Sequence, residues 1–105
     1  MSVPGGAPPS STVVVKDMSL TCEDFFRLLP LAAGALSIRV DGLSAALGTT
    51  ERGVAITLEP LAPRRLSALL AVPRARVTLV FHGYGAAEQA AFLQSFDRAF
   101  QRGGG

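Results

Sequence analysis

The sequence predicts an α+β domain in which an antiparallel or mixed sheet carries its helices on one face. Three observations lead there. Residues 76–102 read as strand, glycine turn and long helix: Val77, Leu79 and Phe81 alternate with Thr78, Val80 and His82, Gly83 and Gly85 permit a turn, and Phe92, Leu93, Phe96, Ala99 and Phe100 recur at helical spacing. Residues 36–40 and 54–59 alternate at period two, with turn signals at Asp41-Gly42 and residues 49–53. Thr21, with Asp24 three residues on, marks a helix start.

In chain order, residues 1–11 are rich in Pro, Gly, Ser and Ala and read as a flexible tail before a single domain spanning 12–102. Residues 12–17 are β-branched and predict the first strand. The first helix is expected to carry a Leu20–Phe25 staple, to end or kink at Pro30 and to exit at Gly34. Asp41-Gly42 is expected as a type I′ turn, so that residues 43–48 return antiparallel, although Ala45, Ala46 and Gly48 are poor strand formers. Pro60 and Pro63 are expected to bracket a loop, and Pro63 to open a short helix carrying Leu66, Leu69 and Leu70. The last helix ends with Arg98 and Arg102 in its final turns, before a glycine tail at 103–105. The resulting order is β-α-β-β-β-α-β-α. With residues 43–48 as loop it becomes the ferredoxin-like βαββαβ plan plus a C-terminal helix.

At 105 residues and 49% hydrophobic, the chain is long enough to close one core. Nine arginines and one lysine against eight acids leave a net charge of +2, which does not by itself call for nucleic acid. The excess of arginine over lysine suits a GC-rich bacterial genome. Cys22 has no second cysteine to pair with, and no leader-like or membrane-spanning apolar run is evident, so the expected setting is the cytoplasm, with no membrane partner.

Assigning the large strand residues inward leaves Val14, Lys16, Ser37, Arg39, Ser44, Ala46, Ala55, Thr57, Glu59, Thr78, Val80 and His82 on the opposite face. Of these, Ser37, Arg39, Ala55, Thr57, Thr78 and Val80 are the candidate interface, because short side chains let another element approach closely. The plain alternative is an ordinary solvated sheet face. None of the seven aromatics falls on this face, so it lacks the stacking platform that single-stranded nucleic acid requires. Arg64, Arg65, Arg74 and Arg76 form the candidate anion site, joined by His82 and the Gly83–Gly85 turn ahead of a helix. Glu88, where a dinucleotide-binding turn has its third glycine, would repel phosphate.

Cys22 and His82 are the only thiol and imidazole, too few for a zinc set, so neither metal nor cofactor is expected. They admit a Cys–His nucleophilic pair on paper, yet a cysteine beside two phenylalanines more often serves as a small apolar residue. The expected function is therefore a non-catalytic interaction or accessory module, self-associating through the open sheet face as a homodimer or docking another protein. The alternative is a binder of a small anionic ligand or nucleic acid through the arginines. An enzyme using His82 or Cys22 is the third reading.

Overall fold

A computed structural model describes residues 12–102. The tails expected at residues 1–11 and 103–105 lie outside the described residues. The elements are β1 (Thr12–Met18), α1 (Cys22–Ala33), β2 (Ile38–Asp41), β3 (Ser44–Gly48), β4 (Gly53–Arg65), β5 (Ala71–His82) and α2 (Ala86–Arg102). The five strands form one antiparallel sheet in the order β1-β5-β4-β3-β2, with both helices on one face.

Several local expectations hold for the reasons that motivated them. Thr21 caps α1, its hydroxyl accepting from the Asp24 amide at 3.0 Å. Gly34 closes the helix with a φ of 62°, its amide donating to the Pro30 carbonyl at 3.2 Å. Pro30 does not end the helix, which runs on to Ala33. Proline removes one backbone donor there, while Leu28, Leu29, Ala32 and Ala33 remain buried on the same face. Residues 44–48 form β3 despite their small side chains, because Ala45 and Leu47 are buried between strands that pair on both sides. The two-residue connection is Gly42-Leu43, one residue later than expected, and Gly42 supplies the positive φ.

The helix expected at residues 63–70 is absent. In its place β4 and β5 continue as a two-stranded ribbon, paired from Gly53–His82 out to Arg65–Ala71, with a register shift between Leu61 and Arg64. The βαββαβ order is accordingly not the one found. Only the proximal half of this hairpin has further neighbours: β3 pairs with β4 as far as Thr57, and β1 pairs with β5 as far as Ala75. Residues 60–74 stand off the body as an arm, in a molecule measuring 54 × 31 × 26 Å.

The core lies between the helices and one sheet face. Ala45, Leu47, Val54, Ile56, Leu58, Val77, Leu79 and Phe81 come from the sheet; Phe25, Leu28, Leu29, Phe96 and Phe100 come from the helices. No charged or polar residue is buried among those described. The Phe25 ring stacks on Phe100 at 4.9 Å and lies 6.1 Å from Phe96, joining α1 to α2. Among the described residues, no helix is long and apolar enough to cross a membrane.

Candidate functional site

Residues directly opposite one another in antiparallel strands share a face, so the register defines the uncovered side of the sheet row by row. One row runs Arg39, Ala46, Ala55, Val80, Val13, and the next Asp41, Ser44, Thr57, Thr78, Val15. A third, at the base of the arm, is Glu59, Arg76, Asp17. The centre is thus uncharged and short, while Val13 and Val15 are 61% and 58% exposed at the β1 edge.

Five of the six candidate interface residues meet on this surface: Arg39, Ala55, Thr57, Thr78 and Val80. Ser37 lies just before β2, its hydroxyl donating to the Gly48 carbonyl at 3.2 Å. The sequence reading of β1 is corrected. Val14 and Lys16 point to the helix side, Val14 packing against the core and Lys16 reaching Asp97 on α2 at 3.0 Å, so that Val13, Val15 and Asp17 occupy the open face. Alternation alone does not distinguish the two faces of a short valine run. The register against β5 decides it.

Because Ala46 and Ala55 present only methyl groups, the open face is shallowly hollowed beside Arg39. One depression of about 470 Å³ is lined by Arg39, Ala46, Thr49, Ala55 and His82. A second, of about 350 Å³, extends over Asp41, Ser44 and Thr57. The His82 Nε2 lies 3.1 Å from the Thr49 carbonyl, which ties the end of β5 to the β3–β4 loop.

The four candidate arginines are distributed along the arm. Arg74 and Arg76 lie on the open side of β5, and Arg64 joins Asp17, Ser19 and Arg74 around one hollow. Arg65 pairs opposite Ala71, and its guanidinium donates to the Ala68 carbonyl at 3.4 Å. Two of the arginines hold carboxylates: Arg74 grips Asp17 through both Nε and Nη2, and Arg76 donates to Glu59 at 3.0 Å. The hydrogen bond from Arg74 keeps the Asp17 carboxyl below its ordinary value; desolvation opposes this, and the charges of Arg74, Arg76 and Arg64 reinforce it. In the glycine turn, the Gly85 amide donates to Glu88 at 2.9 Å, and Arg52 pairs with the same carboxylate at 2.8 Å while lying over the Tyr84 ring.

Cys22 and His82 are not brought together. Cys22 packs at the start of α1, which follows the arm-side end of β1, whereas His82 sits at the opposite end of the sheet and on its other face. Seven residues of β1 separate those two ends by about 20 Å. Among the described residues no cluster of His, Cys, Asp and Glu is placed to hold a metal ion.

Comparison with protein-family models, with curated proteins and with solved structures finds no match to this chain.

Proposed function

We propose that this protein is a small interaction module, without catalysis of its own, that forms a homodimer through the open face of its sheet. The observation that carries this reading is the composition of the two central rows. Alanine, serine, threonine and Val80 fill the middle, Val13 and Val15 lie at one edge, and charged groups in these rows are confined to Arg39, Asp41 and the row at the base of the arm. A sheet face of this kind loses little hydrogen bonding on being covered, and its short side chains admit a second sheet at close range. The unpaired Cys22 supports a reducing compartment such as a bacterial cytoplasm.

Thr78→Arg is the direct test. Thr78 stands opposite Thr57 in the centre of the face, outside the buried core. The variant is expected to sediment as a monomer while keeping the thermal transition of the dissociated wild-type monomer, because it places a charge in the contact and disturbs nothing beneath it. A Thr78→Arg chain that remains dimeric would exclude this face.

A second reading rests on the hollow bounded by Arg64 and Arg74. Here the module binds a small anionic ligand or nucleic acid. Asp17 and Glu59 offset part of the positive charge, so binding would draw chiefly on Arg64. This reading expects affinity for a polyphosphate probe to fall steeply with ionic strength and to weaken on Arg64→Ala. Binding indifferent to salt would rule it out.

A further inference from the structure

The arm is the least covered part of the described chain. Residues 60–74 contain three prolines, four leucines, three alanines and a valine against three arginines, one serine and no acid. Leu69 at the tip is 98% exposed, and Leu66 and Leu70 are 55% and 54% exposed. Apolar surface bared in this way marks a contact site. A two-stranded tip offers far less than the roughly 800 Å² that each partner buries in a standard protein interface. Three leucines at the end of a stalk are matched instead to a soft surface that they can enter.

The charges are sorted along the arm. Arg64 and Arg65 are adjacent in β4 and paired opposite Val72 and Ala71, so they point to opposite faces of the ribbon, one guanidinium on each side just behind the leucines. Both are exposed, and neither makes an ion pair with an acid among the described residues. Arg74 and Arg76, farther back, are held by Asp17 and Glu59. The backbone of those acids lies about 20 Å from Leu70, well beyond a screening length of about 10 Å. An apolar tip collared by cations, with the acids kept at its base, complements an anionic lipid surface: leucines reach the acyl boundary while guanidiniums meet phosphate.

Entry into lipid also requires backbone polar groups to bring their own partners. The turn does so. The Leu66 and Ser67 amides both donate to the Leu70 carbonyl, at 2.8 and 3.1 Å, and the Leu70 amide donates to the Ser67 carbonyl at 3.4 Å. The Leu69 amide donates to the Ser67 hydroxyl at 3.3 Å, and the Ala68 carbonyl accepts from Arg65. Leu70 lies about 15 Å beyond Ala75, the last residue of β5 paired with β1, so the tip meets a flat surface before the body does. The expectation of no membrane partner rests on the absence of a spanning apolar run, which a contact confined to the bilayer surface does not need.

We propose that the β4–β5 arm is a membrane-surface anchor, inserting Leu66, Leu69 and Leu70 into the interface of an anionic bilayer with Arg64 and Arg65 against the lipid phosphates. This goes beyond the self-association reading and does not depend on it.

Flotation of the full chain with vesicles of equal parts phosphatidylserine and phosphatidylcholine tests the anchor, with pure phosphatidylcholine vesicles alongside. The chain is expected to float with the anionic vesicles and to bind the neutral ones less. Leu69→Ser/Leu70→Ser alters only exposed positions and is expected to weaken binding to anionic vesicles about tenfold or more, leaving the thermal transition unchanged. Arg64→Gln/Arg65→Gln is expected to weaken it by a similar factor without affecting the neutral vesicles. With Cys22→Ser as background, an environment-sensitive dye at Leu69→Cys is expected to shift to the blue when anionic vesicles are added. A chain that does not bind anionic vesicles would overturn the anchor. Binding that survives the leucine substitutions would overturn it too, reducing the contact to attraction between arginine and phosphate. A dye that shifts with protein concentration alone, and no further with lipid, would do the same by placing protein over the tip.

Discussion

Phe25→Ala is expected to cost about 3–5 kcal/mol of folding stability, the largest loss from a single side-chain truncation in this account. Phe25 is fully buried and joins the two helices, with its ring 4.9 Å from Phe100, 5.5 Å from Phe26 and 6.1 Å from Phe96. Alanine removes apolar surface and also leaves a cavity beside the Phe26, Phe96 and Phe100 rings, which a close-packed core fills only in part. Domains of this size are held by only about 5–15 kcal/mol in total, so the variant is expected to populate unfolded chain at moderate denaturant. Urea denaturation followed by circular dichroism measures the effect. A loss below about 1 kcal/mol would mean that α1 and α2 are not joined at this ring.

Gly83→Ala is the second large effect, and its cause is backbone geometry. Gly83 has a φ of 77°, in the left-handed region that side chains disfavour. A Cβ built there overlaps the Glu51 carbonyl oxygen and lies 2.9 Å from the Arg52 Cα, so the β3–β4 loop must move. That movement strains the Thr49–His82 hydrogen bond and the Arg52–Glu88 ion pair, which fasten the loop to β5 and α2. A destabilisation of about 2–3 kcal/mol is expected from the strained backbone and the displaced loop together. Urea midpoints measure it, and a change within error would show that the loop yields freely.

How much of this was readable from residues alone depends on how local each cause is. Thr21, Gly34 and the aromatic spacing of α2 act within a few residues, and those elements fall where expected. The pairing of residues 44–48 was also readable, because Asp41-Gly42 lies close before them, although the turn is one residue later. The arm was not. Pro63, followed by Leu66, Leu69 and Leu70, has helical spacing, but those leucines have no core to face, and pairing with residues 71–74 prevails over periodicity. A signal was present in the alternation of β5 itself: it extends back through Ala75, Arg74 and Pro73, too far to be matched by a strand ending at Glu59.

The candidate surface was legible in part for the same reason. Ala55, Thr57, Thr78 and Val80 belong to strands with clear alternation and appear together as expected. Val13 and Val15 were missed because three successive valines carry no period, and only the pairing of β1 with β5 assigns their sides. The arginines looked like one basic cluster in the sequence. In space, Asp17 and Glu59 come from β1 and from the middle of β4 to meet Arg74 and Arg76, a compensation that sequence distance conceals.

The central claim is that this chain pairs with itself, and the measurement that meets it most directly is sedimentation velocity of the untagged wild-type protein over a range of micromolar concentrations. Self-association is expected to give a species of twice the chain mass that dissociates to one chain on dilution. A single species of one chain mass at every concentration, unchanged up to the solubility limit, would contradict it.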